Sequence, residues 1–285
     1  MISYSFYRFA EVLALSLPLN LAYSVAILIS ATYYIFAFKD RKIVTQNLRA
    51  IFPKKTKREI SSIRLRVFLN FAKYLVDFLR FKKIDMNYIK SKVTLKGIEN
   101  IKEGLKAGKG VILLTAHLGN WELGGVVLSQ LGYPLLSVAL PHKSKKVDEF
   151  FNEKRQSKGI DIFPLGRAAK ACLRALKENR LIALVGDRDF TDKGRPVYFF
   201  GKIALFPEGA AVLSLQRGSL IIPGFMLRNR DDSYDLIFEK PLEFTLGVSR
   251  RQDIDSIISK CAKVFEKYIY KYPDQWYMFR RFWRE

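Results

Sequence analysis

The stretch GVILLTAHLGNWELGGVVLSQL, residues 110–131, decides the fold class. It begins with a short apolar run that is typical of a buried strand and continues, from residue 120, in a pattern that fits a helix. The same alternation is repeated downstream. Further apolar runs lie at 133–140, 160–165, 181–186 and 219–227, and further helical patterns at 145–157, 167–179 and 207–217. This alternation predicts an α/β fold with a mostly parallel central sheet flanked by helices.

The end of the chain has a different pattern. Residues 234–244, YDLIFEKPLEF, alternate between apolar and polar and predict an antiparallel strand. Residues 251–271 predict a last helix, which the aromatic and basic ending DQWYMFRRFWRE follows. We therefore expect residues 110–285 to form one α/β region.

The N-terminal segment is strongly apolar, because no residue from Val12 to Phe38 is charged. This run exceeds the roughly 20 apolar residues that a membrane-spanning helix needs. Tyr33 and Tyr34 lie near its end, where amphipathic rings suit a membrane interface. We expect residues 1–38 to contain a hydrophobic membrane-anchoring helix. A buried helix of the globular part is the alternative.

The segment after this run is basic. Between Lys39 and Lys83 the chain has fourteen Lys or Arg and only three Asp or Glu. Basic residues next to a hydrophobic helix favour the cytoplasmic side and attract anionic lipids. We expect residues 39–109 to form a basic helical segment near the membrane, with residues 110–285 on the cytoplasmic side of that membrane. The alternative is an ordinary solvated face.

Composition limits the class of protein further. The 285 residues are 49% apolar and 27% charged, which excludes a disordered chain and a polytopic membrane protein. The formal net charge of +22 favours an anionic partner: nucleic acid, lipid headgroups or an acidic carrier protein. Cys172 and Cys261 stand alone and give neither a disulfide framework nor a zinc site.

The candidate catalytic residues are His117 and Glu122. His117 ends the first predicted strand, and sites in open α/β sheets lie beyond the carboxyl ends of the strands. Residues five apart on one helix are about 140° out of phase. The two side chains can therefore meet only if His117 precedes the helix and Glu122 lies on its first turns. A carboxylate on one ring nitrogen would then allow the other nitrogen to take a proton from a hydroxyl. From these residues alone, a structural histidine stays equally open.

Other chemistries find little support in the sequence. A zinc hydrolase of the H-E-x-x-H type needs two histidines one helical turn apart, and His142 is far from His117. We therefore expect neither a metal nor a cofactor. A serine nucleophile has no G-x-S-x-G turn, and GLKAGKG at 104–110 precedes its strand, where a phosphate loop would have to follow one.

Six ordered motifs carry a family resemblance. AHLGNWELGG at 116–125 resembles the H-x4-[DE] motif of glycerolipid-type acyltransferases, in the form found in bacterial lipid A biosynthesis acyltransferases and the related phosphatidylinositol mannoside acyltransferases. RKIVTQNLRAIFP at 41–53, RQSKG at 155–159, GDRDF at 186–190 and the ending PDQWYMFRRFW are similar to further motifs of that family, and so is the block from VYFFG to IIPGF at 197–225. The resemblance covers nearly the whole chain.

The resemblance implies a membrane-associated O-acyltransferase, with its catalytic region, residues 110–285, on the cytoplasmic side of a bacterial inner membrane. It would move a fatty acyl group from acyl carrier protein or acyl-CoA to a hydroxyl of a lipid A precursor or related glycolipid. His117 would be the general base and Glu122 its orienting partner. The acceptor would be an anionic glycolipid or phospholipid. Arg188, in a position where many lipid A acyltransferases carry glutamine, keeps a phosphatidylinositol mannoside or lysophospholipid acyltransferase as the alternative.

Substrate contacts are expected from residues at predicted strand ends and helix starts. These are Asn120, Arg155, Arg167, Asp187, Arg188 and Asp189. Glu208, in FPEG at 206–209, is expected to start a helix and not to bind the acceptor. A different class, a non-catalytic basic protein that binds lipid or nucleic acid, is the remaining alternative. We find no nucleic-acid-binding motif and expect no nucleic-acid partner.

Overall fold

The computed structural model describes residues 4–190 and 194–283. Within these ranges the chain forms eleven α-helices, nine strands and three short 3-10 turns. The helices are α1 Tyr4–Ser16, α2 Leu19–Phe36, α3 Phe38–Ile51, α4 Lys57–Leu79, α5 Met86–Lys92, α6 Ile98–Lys106, α7 Trp121–Gln130, α8 Lys145–Gln156, α9 Ala168–Lys177, α10 Gly209–Arg217 and α11 Arg250–Lys271. The strands are β1 Val93–Lys96, β2 Val111–Thr115, β3 Leu135–Ala139, β4 Ile160–Pro164, β5 Leu181–Val185, β6 Arg195–Phe199, β7 Lys202–Phe206, β8 Leu220–Arg228 and β9 Tyr234–Phe238.

Seven of these strands form one sheet in the order β1-β9-β8-β2-β5-β3-β4. The strands from β8 to β4 are mutually parallel, with Val111 of β2 opposite Leu181 of β5 and Leu220 of β8. β9 runs antiparallel to β8, and β1 runs parallel to β9. The predicted mostly parallel sheet is confirmed, and so is the antiparallel strand that begins at Tyr234.

The central strand β2 divides the core between the two faces of the sheet. Val111 and Leu113 pack with α6, α7 and β9 on one face, whereas Ile112 and Leu114 pack with α9, α10 and α11 on the other. Successive side chains of a strand point to opposite faces. A strand covered by helices on both faces is therefore apolar throughout, which is why its sequence shows no alternation.

Two parts of the sheet structure have no clear signal in the sequence. β1 is only four residues long and half-exposed, in a segment that the sequence predicts as helical. β6 and β7 form a separate hairpin joined by Phe200 and Gly201, which have φ values of 51° and 76°. Two-residue hairpin turns with positive φ at both positions favour Asn-Gly or Asp-Gly. The Phe-Gly pair at this turn therefore gives no recognisable hairpin signal in the sequence.

The apolar N-terminal run is not one continuous helix. α1 ends at Ser16 and α2 begins at Leu19, with Pro18 at its N-cap. Proline lacks the amide hydrogen that a helix interior requires, so the chain breaks there. By length and composition α2 is the one described helix that could cross a membrane. The uncharged run from Val12 to Phe38 is therefore divided between helices, with most of it in α2.

Candidate active site

The turn between β2 and α7 carries His117. Gly119 has a φ of 64°, and a Cβ at this position would lie 2.0 Å from the Met226 carbonyl oxygen. Only glycine lets the turn pass this close to β8. The Tyr277 amide donates to the His117 carbonyl at 2.9 Å, and the Gly119 amide donates to the Gln275 carbonyl at 2.9 Å. The C-terminal tail therefore holds the turn from the other side.

Asn120 ends this turn and caps α7. Its side-chain oxygen accepts from the Leu123 amide at 3.1 Å, and its Nδ2 donates to Asp77 at 2.9 Å. Asp77 in turn pairs with Arg228 and accepts hydrogen bonds from the hydroxyls of Tyr23 and Tyr234. Asn120 is 2% exposed, so its predicted role as a substrate contact is corrected: its side chain shapes the turn.

The partner of the His117 ring is Asp187, the first residue of the DRD motif after β5. Nδ1 of His117 lies 2.7 Å from Oδ1 of Asp187. The other carboxylate oxygen accepts from the His117 amide and from Nε1 of Trp276, both at 3.1 Å. The Asp187 side chain is fully buried, whereas that of His117 keeps 18% of its surface exposed. Asp187 is therefore out of reach of a substrate, and its predicted role as a substrate contact is corrected.

The protonation of this pair follows from its surroundings. Burial alone would raise the pKa of the Asp187 carboxyl, but the His117 ring and the N–H groups of Trp276 and His117 lower that pKa below its ordinary value. The ionised carboxylate can only accept hydrogen bonds, so the shared proton is on Nδ1. Nε2 of His117 is then the ring nitrogen that can take a proton.

Glu122 makes a different contact from the predicted one. Its two oxygens accept from Nε and Nη2 of Arg155, at 2.9 Å and 2.7 Å. The two side chains are 13% and 12% exposed, and this bidentate pair joins the first turn of α7 to α8. The prediction that Glu122 orients His117 is corrected, since the carboxylate on the imidazole comes from Asp187. Arg155 was predicted as a substrate contact, but its Nε and Nη2 both donate to Glu122.

His117 faces a cavity of about 1100 Å³. Its lining includes Gly125, Leu135 and Ile160 on one side of the sheet, and Leu184 and Ala211 on the other. Trp121 packs edge-on against the imidazole with a centroid distance of 5.1 Å. The histidine thus has an aromatic neighbour and a buried carboxylate beside a cavity, an arrangement that suits proton transfer to and from a substrate.

The remaining predicted residues divide into two groups. Arg188 and Asp189 line the cavity, and so does Glu208, the residue just before α10. Arg167 lies in the exposed 3-10 turn Leu165–Arg167 and is not part of the described cavity lining, so its contact with a substrate stays a prediction. Leu165, at the start of the same turn, does line the cavity.

Sequence reasoning did not identify the roles of Trp276 and Tyr277. Both are buried, and Leu118 and Trp276 form an isolated antiparallel bridge. The motif in the C-terminal ending was the available signal, although it did not indicate a contact with the histidine. No group of three or more His, Cys, Asp or Glu that could hold a metal occurs among the residues that the structure describes.

Comparison with known proteins gives the family. The sequence model for "Bacterial lipid A biosynthesis acyltransferase" matches residues 2–285. The chain belongs to this family. It is therefore an O-acyltransferase, and the family supports acyl transfer to a glycolipid. The resemblance that the six motifs indicated is confirmed.

Curated relatives fall into two groups. A phosphatidylinositol mannoside acyltransferase of Mycolicibacterium smegmatis is 28% identical over 218 residues, which are 75% of this chain and 70% of that protein. One from Mycobacterium tuberculosis is 28% identical over 192 residues, 66% of this chain and 58% of that protein. The lipid A biosynthesis palmitoleoyltransferase of Escherichia coli is 24% identical over 255 residues, 87% and 80% of the two chains.

Proposed function

We propose that this acyltransferase moves a fatty acyl group from a thioester donor to a hydroxyl of a lipid A precursor or related glycolipid, with His117 as the general base. The observation that carries the proposal is the His117–Asp187 pair beside a cavity with an extended apolar wall. The pair holds a proton on Nδ1 and leaves Nε2 as a base. Glu122, the second residue of the H-x4-E motif, contributes by fixing α7 to α8 through Arg155.

The reaction follows from this arrangement. Nε2 of His117 takes the proton of the acceptor hydroxyl while its oxygen attacks the thioester carbonyl. The carbon–sulfur bond then breaks, the acyl group remains on the acceptor oxygen, and the imidazolium returns its proton to the leaving thiolate. The buried Asp187 carboxylate stabilises the imidazolium between these two steps. Since the thioester is already activated, the scheme needs no covalent acyl-enzyme.

The cavity offers a place for the acyl chain. Gly125 of α7 lies where a Cβ would approach Leu135 to 3.4 Å and Ile160 to 3.5 Å. Tyr7 of α1 and Phe151 of α8 also line the cavity, with their ring centroids 5.2 Å apart. We infer that the fatty chain lies along this apolar wall and that its length is limited here.

Donor and acceptor are proposed from charge and similarity. The net charge of +22 suits acyl carrier protein, an acidic partner, and also acyl-CoA, which is anionic. A phosphatidylinositol mannoside is the second candidate acceptor. Arg188 and the higher identity to the mycobacterial relatives, 28% against 24%, favour it.

We further infer attachment to the cytoplasmic face of the bacterial inner membrane through α1 and α2. α2 lies against α4, where the Tyr23 hydroxyl donates to Asp77 and the Ser30 hydroxyl donates to the Phe68 carbonyl at 3.0 Å. A spanning α2 would draw charged α4 into the hydrocarbon, at about 3 kcal/mol per charge. We therefore propose that α2 lies along the interface, with exposed residues such as Leu28 and Ile29 in the lipid.

Vesicle sedimentation tests this attachment. Leu28→Glu/Ile29→Glu should weaken binding to vesicles that contain anionic lipid. Val248→Glu, at an apolar residue that is 99% exposed outside the N-terminal helices, serves as the control. Equal binding of the double variant and the control would refute the proposed orientation.

Reconstitution tests the proposed reaction. Purified protein is incubated with acyl carrier protein or CoA thioesters and with either a lipid A precursor or a phosphatidylinositol mannoside, and the lipids are analysed by mass spectrometry. We expect one added acyl mass on one of the two acceptors. Thioester hydrolysis without any acylated lipid would refute transfer to a glycolipid.

A further inference from the structure

The C-terminal tail brings a second arginine, Arg280, to the cavity that contains His117. Asn47 of α3 fixes the tail there. Its Nδ2 donates to the carbonyls of Met278 and Arg280, at 3.0 Å and 2.8 Å, and its Oδ1 accepts from the Phe282 amide at 3.1 Å. Asn47 is 3% exposed. The backbone that carries Arg280 is therefore held in place from both sides of this residue.

Arg188 reaches the same cavity from the other direction, after β5. Its guanidinium lies over the Phe190 ring, 4.4 Å from the centroid. Nη2 is buried, and among the described residues it has no hydrogen-bond partner. A buried guanidinium nitrogen without an acceptor is costly, and a bound anion would relieve that cost.

The carboxylates that line this cavity are already engaged. Glu122 binds Arg155, and Glu208 accepts from Arg195 at 3.0 Å. Asp189 accepts from the Gly194 amide at 3.0 Å. Arg188 also lies near a second positive charge, that of Arg280. Burial and then the nearby Arg280 lower the pKa of Arg188 to about 10, against a smaller opposing effect of Asp187.

We propose that Arg188 and Arg280 together form a binding site for a phosphate group of a substrate. Guanidinium groups match the oxygens of phosphate with two parallel hydrogen bonds, and two of them can hold one phosphate from two sides. The phosphate is that of the acceptor lipid or that of the donor's carrier. That the phosphate belongs to a substrate of acyl transfer rests on the proposed function, whereas the site itself does not.

The first test measures binding without turnover. Inorganic pyrophosphate is titrated into the purified full-length protein by calorimetry at fixed ionic strength. Arg188→Ala and Arg280→Ala should each weaken binding about tenfold or more, because each removes charge-assisted hydrogen bonds. Arg281→Ala, the adjacent exposed arginine, is the matched control and should bind as the wild type does. Arg280→Lys keeps the charge and should recover part of the affinity.

Equal pyrophosphate binding by the wild type, Arg188→Ala and Arg280→Ala would overturn the proposal. So would an equal loss in Arg281→Ala, which would mean that only the general positive charge of this surface attracts the anion. Thermal unfolding of each variant checks folding. If an arginine-to-alanine variant is unstable, pyrophosphate binding is instead compared between the wild type and the arginine-to-lysine variant at the same position.

The second test identifies the source of the phosphate. With acyl transfer as the assay, Arg280→Ala should raise KM about tenfold for the substrate that carries the phosphate and leave KM for the other nearly unchanged. A rise for the acceptor alone assigns the phosphate to the lipid, and a rise for the donor alone assigns it to the carrier. Either pattern supports the site, and no change in either KM would overturn it. If the wild type shows no acyl transfer but binds pyrophosphate through Arg188 and Arg280, the proposed function is refuted and the phosphate site is not.

Discussion

Replacing Asp187 by asparagine tests how the histidine is held. Oδ2 accepts two N–H groups, whereas Oδ1 faces only Nδ1 of His117. An asparagine has one oxygen, which should turn to the two N–H donors. Its NH2 group then faces Nδ1 of His117, which becomes an acceptor, and the proton moves to Nε2. The nitrogen that must take a proton from the acceptor hydroxyl would be blocked.

The size of this effect follows from the loss of the base. General-base catalysis contributes about 10²–10⁴-fold, so kcat of Asp187→Asn should fall by about that factor. In the variant, three hydrogen bonds that had a charged partner become hydrogen bonds between neutral groups, and each such change costs about 1 kcal/mol. The free energy of unfolding should therefore fall by at most about 3 kcal/mol. Acyl-transfer kinetics and urea unfolding measure the two quantities. Near wild-type kcat in Asp187→Asn, with a large loss in a folded Glu122→Gln, would refute the structural assignment and restore the one from sequence.

The same variant should change the pH dependence of stability. The folded-state pKa of Asp187 is lowered, so its carboxylate stabilises the fold fully above the ordinary pKa of 3.8 and loses this contribution as pH falls through the lower folded value. The difference in unfolding free energy between wild type and Asp187→Asn should thus shrink as pH falls below about 4. A difference that grows below about pH 4 would contradict the ionised state assigned to Asp187.

Three further outcomes are expected. Arg155→Met should lower the free energy of unfolding by about 3 kcal/mol, measured in urea, since it leaves Glu122 nearly buried without a partner; an unchanged value would contradict a structural role for the pair. Gly125→Leu should shift the preferred donor to a shorter acyl chain, measured by competition between thioesters, because its side chain would meet Leu135; an unchanged preference would mean that the chain lies elsewhere. Cys261→Ala should keep nearly full activity, since burial raises the pKa of this thiol to about 12 and leaves it a poor nucleophile; loss of turnover in a folded variant would point to an acyl-cysteine intermediate.

Much of the sheet could be predicted because its signal is local. Apolar runs such as residues 110–116 and 181–186 report burial on both faces, and β2 and β5 lie at these places. β1 could not be predicted in the same way, because a four-residue edge strand buries too little to show a pattern. Pro18 is also a local signal, because proline breaks a helix. The segment around it has no charged residue and therefore looked like one helix, whereas it forms two.

The position of the site could be predicted from the sequence, but the carboxylate that pairs with His117 could not. His117 follows β2, and Asp187 follows β5, its neighbour in the sheet, with Thr115 opposite Val185. The carboxyl ends of adjacent parallel strands meet at one edge of the sheet, so residues that follow two neighbouring strands are expected to lie close together. Spacing along the chain favoured Glu122 instead, because a sequence cannot show that Arg155, on another helix, is in position to bind it. Seventy residues separate the histidine from its partner.

The central claim is that Nε2 of His117 takes the proton of a lipid hydroxyl during direct transfer from a thioester. A single-turnover experiment with labelled acyl thioester, saturating glycolipid acceptor and either wild type or His117→Ala tests it most directly. We expect label to pass from thioester to lipid in one phase, no label on the protein, and a rate at least about 10²-fold lower in the folded variant. Label on the protein before it reaches the lipid, or a wild-type rate in His117→Ala, would contradict the claim.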